Sequence, residues 1–243
     1  MSREPQLAGQ TVVVIGGSSG MGLETAKLAR SEGADVILTG RNPERLQNAA
    51  REIGARSSAA FDVTDFERLG RFFDELPSPV NHIMVTAGGP YYARLANLDF
   101  TQAHSHVEEK FWLPIHLARF AVGKVRPGGT LLFIGGTGGR QPSAGPILVA
   151  FTAALPALPK SLALELAPIR VNLICPGFVD TPLSASVLGD QLDARREQLR
   201  KTLPIRRVVG PADIAALAIH LMSNTAITGA TYDIDGGEQL VEG

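Results

Sequence analysis

The sequence is poor in residues on which several classes of protein depend. Its one cysteine, Cys175, excludes an intramolecular disulfide framework and a cysteine-based metal cluster, so we expect a reducing, cytoplasmic location and no metal site. Lysine and arginine number 23, aspartate and glutamate number 24, and no block of like charges occurs. There is therefore no electrostatic case for a nucleic acid or an anionic membrane as a partner.

Long apolar runs are also missing. The first ten residues, MSREPQLAGQ, contain no apolar core of a signal peptide, and no run of about 18 uninterrupted apolar residues occurs. We expect a soluble chain without a membrane span. With 243 residues, 44% of them hydrophobic, the chain can bury a sizeable core, and we predict one domain over residues 1–243.

Short β-branched runs alternate with longer helical patterns along the chain. Apolar strands separated by helices are typical of a parallel sheet covered on both faces, so the sequence predicts an α/β fold. The predicted strands are 11–16, 35–40, 57–62, 81–89, 130–136, 169–177 and 230–237. Helices are predicted over 43–53, 65–76 and 101–125, the last with Pro114 as a kink.

The first strand leads into a glycine-rich turn, IGGSSGMG, that opens a helix. Gly16, Gly20 and Gly22 let the backbone turn sharply and approach a pyrophosphate, while the helix offers its free N–H groups to the phosphates. The spacing is GxxxGxG, not the GxGxxG of the standard dinucleotide fingerprint. Between a buried strand and a helix, this turn favours nucleotide binding over an ordinary tight loop.

Ordered motifs extend this interpretation over nearly the whole chain. The sequence resembles the short-chain dehydrogenase/reductase (SDR) family in VVVIGGSSGMG, LTGRN, FDVTD, VTAGG, SLALELAPIRVN, ICPGFVDTP and YDIDGG. The resemblance implies a single-domain Rossmann fold that binds NAD(H) or NADP(H), with a doubly wound sheet of seven parallel strands and helices on both faces. It further implies a homodimer or homotetramer paired through two long helices, and a substrate lid over residues 183–203.

The cofactor half of the family pattern is mostly intact. Asp62 matches the aspartate that holds the adenine amino group. Val85 and Thr86 replace two asparagines, and a threonine hydroxyl could restore only part of the strap between neighbouring strands that the second asparagine makes. The candidate cofactor-binding residues are Gly16, Ser18, Ser19, Gly20, Met21, Gly22, Arg41, Asp62, Val63, Ala87, Gly88, Pro176, Gly177, Val179 and Thr181.

The end of the second strand bears on which cofactor binds. In LTGRN, Gly40 stands where NAD-binding relatives place an acidic residue for the ribose diol, and Arg41 follows it. The missing carboxylate removes repulsion against a 2′-phosphate, and a guanidinium can bind that phosphate through two hydrogen bonds. NADP(H) is therefore favoured over NAD(H), although the glycine-rich turn adds no second basic residue.

The catalytic half departs from the family pattern. Members use a tyrosine as proton donor, a lysine four residues later, a serine and an asparagine. Counting back from SLALELAP places Leu148 and Thr152 at the tyrosine and lysine positions, and neither side chain supplies an acidic proton. No Tyr-x-x-x-Lys occurs in any register, because leucine, alanine and glycine stand four residues beyond Tyr91, Tyr92 and Tyr232.

Other side chains could rebuild the catalytic site. Lys110 falls at the asparagine position, where a desolvated ammonium would donate a proton; the alternative is a solvated charge paired with Glu108 or Glu109. Thr137 could replace the serine hydroxyl, since Gly136 occupies the serine position.

For several residues, the sequence is compatible with both a catalytic and a structural role. Tyr91 and Tyr92 follow the VTAGG loop, where either one supplies a phenol or both pack as pocket wall. His104 and His106 are expected at the surface. Arg140 and Gln141 are candidate substrate contacts.

Two prolines interrupt the helix that ends at Glu165. Pro156 and Pro159 each remove a backbone donor and clash with the preceding turn, so the helix is predicted to bend or to start again near Pro156. The segment 148–155 is predicted to form an apolar wall.

Two functional classes survive. One is an NADP(H)-dependent oxidoreductase that acts on a small carbonyl or alcohol through a non-standard acid–base group, since hydride transfer itself belongs to the cofactor. The other is a catalytically silent nucleotide-binding homologue that acts as a sensor, scaffold or partner subunit.

Overall fold

Seven parallel strands form one sheet in the part of the chain that the computed structural model describes, residues 6–77 and 79–241. Their order is β3-β2-β1-β4-β5-β6-β7, and all neighbouring pairs run parallel. The predicted α/β architecture is thereby confirmed. The strands are β1 Thr11–Ile15, β2 Asp35–Gly40, β3 Ser57–Ala60, β4 Val80–Val85, β5 Val125–Ile134, β6 Arg170–Pro176 and β7 Thr231–Ile234.

Helices cover both faces of this sheet. They are α1 Gly20–Ser31, α2 Pro43–Ile53, α3 Phe66–Glu75, α4 Phe100–Val107, α5 Leu113–Ala121, α6 Pro146–Ala154, α7 Leu158–Glu165, α8 Pro182–Leu188, α9 Leu192–Thr202 and α10 Pro211–Ser223. One core contains apolar residues of α1, α2 and α10, and the other contains those of α3, α5 and α7.

Strand β1 shows why both faces are covered. Val12 and Val14 point into the first core, Val13 and Ile15 point into the second, and all four side chains are fully buried. Because alternate side chains of a strand face opposite sides, a run that is apolar at every position needs helices on both sides.

The structure corrects two predicted boundaries and adds a helix that was not predicted. Strand β5 begins at Val125, five residues before its predicted start, and the helix predicted to reach Val125 ends at Ala121. Helix α10 was not predicted, although six of its side chains are buried against the sheet. Its apolar residues lie on nearly every face of the helix. The sequence therefore shows little of the periodic apolar and polar alternation that distinguishes a helix from a buried strand.

The predicted long helix over 101–125 is divided by a wider turn. Residues Glu108–Trp112 form a π turn between α4 and α5. Pro114, in the first turn of α5, has no N–H to donate to the preceding turn. Single π turns inside helices insert an extra residue and occur often at functional sites.

The helix containing the two prolines also changes geometry where predicted. A 3₁₀ turn over Leu155–Ala157 separates α6 from α7, and Pro159 lies in the first turn of α7. The predicted new start near Pro156 is confirmed. The whole run, Pro146–Glu165, is long and apolar enough by length and composition to cross a membrane, and only a small share of it is buried. A single helix of this kind is weak support for a span.

Candidate active site

The glycine-rich turn lies at the carboxyl end of β1 and leaves no space for side chains. A Cβ at Gly22 would collide with the carbonyl oxygen of Gly16 and lie 2.6 Å from Thr86 Oγ1. Gly16 has a φ of 95° and Gly20 a φ of 56°, both in the region that favours glycine. Helix α1 begins at Gly20, so its first N–H groups open onto this turn.

The remaining residues of the turn face two directions. Ser18 is 7% exposed and lies against the end of β2, where a Cβ at Gly40 would be 3.1 Å from its hydroxyl oxygen. Ser19 is the extended N-cap of α1, and its side chain makes no capping bond. Met21 points to the other side and lines the main cavity.

Basic side chains surround the end of β2. Arg41 is exposed directly after the strand, as the sequence predicts. Arg45, in the first turn of α2, places Nε 3.4 Å from Ser18 Oγ. Sequence reasoning missed this second arginine because it considered only the glycine-rich turn, whereas Arg45 comes from the following helix.

Asp62 and Val63 follow β3 at the same edge of the sheet. One carboxylate oxygen of Asp62 accepts bonds from the backbone N–H of Thr64 at 2.9 Å and from its hydroxyl at 2.8 Å. Partial burial acts to raise the pKa of this carboxyl, but the bonds from Thr64 and the charge of Arg41 outweigh it and lower the pKa. Asp62 is thus held ionised, while Val63 is buried in the core.

Thr86 links the glycine-rich turn to the end of β4. Its hydroxyl donates to the carbonyl of Gly16 at 3.0 Å or to that of Ile15 at 3.3 Å, and its backbone N–H donates to Ile15 at 2.8 Å. One threonine therefore joins β4 to the turn after β1. Ala87 and Gly88 follow it and line the cavity.

The loop after β6 forms the opposite side of the site. Pro176, Gly177, Val179 and Thr181 all line the cavity. Thr181 is 8% exposed and caps α8, because its hydroxyl accepts from the backbone N–H of Ser184 at 3.2 Å. The cap fixes the end of the loop.

A cavity of about 580 Å³ opens between these loops and the lid predicted from the sequence. Helices α8 and α9 occupy most of residues 183–203 and contribute one wall. Apolar side chains that line the cavity include Leu148, Phe151, Leu155, Phe178, Leu183, Val187 and Leu188. A mostly apolar cavity with a few polar groups is typical of small-molecule sites.

Lys110 lines this cavity from the π turn. Its Nζ lies beside Gly88, since a Cβ there would be 3.2 Å from Nζ and 2.9 Å from Glu109 Oε2. Burial lowers the pKa of the Lys110 ammonium, and the charge of Glu109 offsets only part of that effect. Lys110 is half-buried, so its ammonium is partly desolvated while the carboxylate of Glu109 lies beside it.

His106 lies one turn before Lys110 and is a polar residue of the site that sequence reasoning placed at the surface. It is 4% exposed, lines the cavity and leaves Nε2 without a hydrogen-bond partner. Burial first, and then the charge of Lys110, lower the pKa of His106 to about 4, so the ring is neutral near pH 7. The pattern HSHVEEK marked it only as one of two histidines, of which His104 is exposed.

Helix α6 presents side chains without acidic protons where the family resemblance places the tyrosine and lysine. Leu148 is 9% exposed and Thr152 is 8% exposed, and both line the cavity. Phe151 and Leu155 lie beside them, so the apolar wall predicted for this segment is present. Thr152 packs against Gly139, where a Cβ would collide with its hydroxyl.

The two candidate tyrosines differ in position. The Tyr91 hydroxyl accepts from the backbone N–H of Asp99 at 3.0 Å and lies 3.1 Å from the Asp99 carbonyl, and Tyr91 is not among the cavity-lining residues described. Tyr92 lines the cavity, and a Cβ at Gly138 would be 2.9 Å from its hydroxyl. Of the two candidate tyrosines, Tyr92 is the one that lines the cavity.

The loop after β5 carries the remaining candidates. Thr137 is 1% exposed, lines the cavity and directs its hydroxyl towards the Pro176 carbonyl at 3.5 Å. Gln141 also lines the cavity. Arg140 instead makes two bonds of 2.6 Å to the Asp233 carboxylate, which joins this loop to β7 rather than leaving the guanidinium to a substrate.

Comparisons with known proteins agree with this arrangement. Residues 15–239 match the family model described as Enoyl-(Acyl carrier protein) reductase. The chain is 31% identical to the short-chain dehydrogenase/reductase ATR9 of Stachybotrys chlorohalonatus, over 97% of this chain and 99% of that protein. The chain belongs to the SDR family.

Solved structures of other SDR proteins superpose over almost the whole chain. MalC reductase/Diels-Alderase from Malbranchea aurantiaca gives a TM-score of 0.88 at 27% identity, covering 98% of this chain and 99% of that one. A small-chain dehydrogenase in complex with NADPH gives 0.81 at 30% identity, covering 95% and 99%. This SDR chain is therefore an oxidoreductase by family, built on a nucleotide-binding Rossmann sheet.

Proposed function

We propose that the chain is an NADP(H)-dependent oxidoreductase that interconverts a small carbonyl compound and its alcohol, with Lys110 as its acid–base group. The observation that carries the proposal is the position of Lys110 Nζ on the cavity wall beside Gly88, where burial lowers the pKa of the ammonium. An amine with a lowered pKa exchanges its proton more readily near neutral pH.

The residues at the carboxyl edge of the sheet fit a dinucleotide. Gly16 and Gly22 allow the tight turn after β1, because a Cβ at either position would meet the backbone or Thr86, and the N-terminus of α1 opens its free N–H groups onto this turn. Asp62 would hold the adenine, as the family resemblance implies. Two structures of relatives contain NADPH, one of them the small-chain dehydrogenase described above.

Two arginines support NADP(H) over NAD(H). Arg41 and Arg45 both lie beside the end of β2, where Gly40 leaves no carboxylate to repel a 2′-phosphate. A guanidinium matches the oxygens of a phosphate in geometry as well as in charge. Ser18, between them, adds a hydroxyl.

Lys110 and its surroundings define the proposed chemistry. NADPH, when bound, supplies the hydride that reaches the carbonyl carbon. Lys110 gives a proton to the carbonyl oxygen, and its neutral amine later regains a proton from water; in the reverse direction the neutral amine accepts the alcohol proton. Leu148, Phe151 and Leu155 limit the access of water to the reacting oxygen. His106 stays neutral and adds no competing charge.

The alternative function is a catalytically silent nucleotide-binding homologue. The observation that favours it is the pair Leu148 and Thr152, both in the cavity wall and neither able to donate an acidic proton. In that case Lys110 would bind the nucleotide or another ligand without turnover. The two functions make different predictions about turnover but the same prediction about NADPH binding.

We also propose a cytoplasmic homo-oligomer. Phe111 and Trp112 are 42% and 44% exposed on the π turn, and only a small share of the apolar run Pro146–Glu165 is buried. Burying such a surface against a second copy would remove it from water. Light scattering after size exclusion should give a dimer or tetramer, and Trp112→Glu should shift it towards monomer; a monomeric wild type would contradict the proposal.

A nucleotide titration followed by a substrate screen tests the function. NADPH and NADH are titrated by fluorescence, and a panel of ketones and aldehydes is then screened for NADPH oxidation. We expect NADPH to bind about tenfold or more tighter than NADH, with turnover of at least one carbonyl. Binding without turnover across the panel would favour the silent homologue, and no binding of either nucleotide would reject both functions.

A further inference from the structure

The end of β7 and the segment that follows it contact two loops around the cavity and helix α9. Asp233 binds Arg140 in the loop after β5. The Asp235 carboxylate accepts from the backbone N–H groups of Gly237 at 2.9 Å and Gln239 at 3.1 Å, which folds the chain into a tight turn. This turn directs Glu238 back towards the cavity, which Glu238 lines.

Glu238 is a buried carboxylate with partners on two different elements. It is 6% exposed. One oxygen accepts from the backbone N–H of Phe178 at 2.9 Å, and the other forms an ion pair with the guanidinium of Arg195. A Cβ at Gly177 would collide with the same carboxylate, so the loop after β6 is closed tightly around it.

Arg195 belongs to α9, a helix that buries little apolar surface against the rest of the protein. Leu199 is the buried residue of this helix in the described structure. Arg196, the next residue, makes two bonds of 2.7 and 2.9 Å to the Asp180 carboxylate. Two adjacent arginines thus attach the lid segment, residues 183–203, to the loop after β6, one directly at Asp180 and one through Glu238.

The burial of Glu238 makes these attachments interdependent. A carboxylate removed from water is costly when one of its partners leaves, because the remaining charge is then uncompensated. Displacement of Arg195 would therefore also disturb the bond to Phe178. Arg196 and Asp180 are each about 30% exposed, so their pair is solvated and can break at smaller cost.

We propose that Glu238 is a positioning residue that couples closure of the lid segment to the shape of the loop Pro176–Thr181. The proposal rests on the proposed function, since that loop would contact the nicotinamide. With the Arg195–Glu238 pair formed, the loop and the lid hold the cavity in its closed form. When the pair opens, both relax together, and the cavity admits or releases its ligand.

The variant Glu238→Gln tests this coupling with little change of shape. Its amide oxygen can still accept from Phe178, but the charge opposite Arg195 is lost. The matched control is Glu197→Gln, which removes an exposed carboxylate of the same helix that pairs with Arg200 and Lys201. Trypsin sites in α9 are unchanged in both variants.

Limited trypsin digestion without nucleotide gives the first measurement, and it requires no catalysis. We expect Glu238→Gln to be cleaved within α9 about tenfold faster than Glu197→Gln and wild type, with no faster cleavage at the lysine and arginine residues of α1 or α2. Arg195→Met loses one trypsin site, and at the remaining sites of α9 it should act like Glu238→Gln; the double variant should be no faster there than either single one. Equal cleavage of Glu238→Gln and Glu197→Gln, or faster cleavage throughout the chain, would overturn the proposal.

Kinetics separate this positioning role from a purely structural one. With a substrate found in the screen, Glu238→Gln should raise KM and the NADPH dissociation constant about tenfold while kcat stays within about threefold. Arg195→Lys, which keeps the charge, should recover part of the KM. A fall in kcat with KM unchanged would contradict the coupling. If the protein turns over no substrate, the trypsin digestion pattern still tests the coupling between Glu238 and the lid segment.

Discussion

The turn after β1 and the wall formed by α6 lie on the same edge of the sheet, but the sequence resemblance to the family extends to the residues of the turn and not to those of the wall. At the turn, Gly16 and Gly22 occupy positions where a side chain would meet backbone or Thr86. On α6, Leu148 and Thr152 are nearly buried side chains of the cavity wall. Backbone N–H groups can bind a phosphate only if the chain follows one path through the turn. A proton donor, in contrast, can come from any element whose side chain reaches the reacting atom.

The comparison explains why the proposed acid–base group comes from another helix. Lys110 projects from the π turn towards the cavity that α6 borders. A buried ammonium is costly, which is why burial lowers its pKa, and such a cost is more often found at functional sites than elsewhere. Substitutions at Lys110, Arg41 and Leu148 each change one side of this comparison, and their expected effects decrease in that order.

Replacing Lys110 by methionine should have the largest effect. We expect Lys110→Met to lower kcat roughly 100-fold or more, the usual size of an acid–base contribution, because it removes the proton donor. The NADPH dissociation constant should change less than threefold. Steady-state kinetics and fluorescence titration measure both.

Thermal unfolding and a surface variant provide the controls for Lys110→Met. Since burial disfavours the charged lysine, the methionine variant should unfold at an equal or higher temperature than wild type. Lys27→Met, which breaks a surface pair with Glu52 at 2.7 Å, should leave kcat unchanged. Full turnover in Lys110→Met would reject the lysine as the donor.

Removing Arg41 should have an intermediate effect, confined to the cofactor side. Arg41→Ala should weaken NADPH binding about tenfold to 100-fold, the value of a charge-assisted bond to a phosphate, and leave NADH binding unchanged. Arg56→Ala, at an exposed pair with Asp35, is the control. Equal losses for both nucleotides would show that Arg41 does not contact a 2′-phosphate.

Restoring a tyrosine on α6 should have the smallest effect. Leu148→Tyr should change kcat less than threefold in wild type and should not rescue Lys110→Met, because Thr152 supplies no charge to lower the phenol pKa from about 10. The same assay with both backgrounds measures it. If Leu148→Tyr raised the kcat of Lys110→Met tenfold or more, the proton donor could be supplied from α6.

The sheet could be predicted from the sequence because its strands are apolar at successive positions and end in glycine-rich turns. Val12 to Ile15 are buried on both faces, and that pattern is local. Helix α10 could not be predicted as easily, because its residues are apolar on nearly all sides. The single-domain division and the lid over 183–203 stay predictions.

The candidate cofactor residues could be placed at one edge of the sheet because they directly follow strand ends. The surroundings of Lys110 and His106 could not, because they depend on the π turn and on packing against α6, which is distant in sequence. Arg45 and Glu238 were missed for the same reason. Each acts on a partner more than 25 residues away, Ser18 for Arg45 and Phe178 and Arg195 for Glu238.

The pH dependence of carbonyl reduction tests the central claim most directly. Lys110 must carry its proton to reduce a carbonyl, so kcat should fall as pH rises through a pKa below that of an ordinary lysine, and the oxidation rate should fall as pH drops through it. His106, with a pKa of about 4, should add no step near pH 6 to 7. We predict that this fall of kcat with rising pH occurs in wild type below the pH at which an ordinary lysine titrates, and that it is absent from the residual rate of Lys110→Met. If kcat still fell with rising pH in Lys110→Met, or if kcat in wild type did not depend on pH, Lys110 would not be the proton donor.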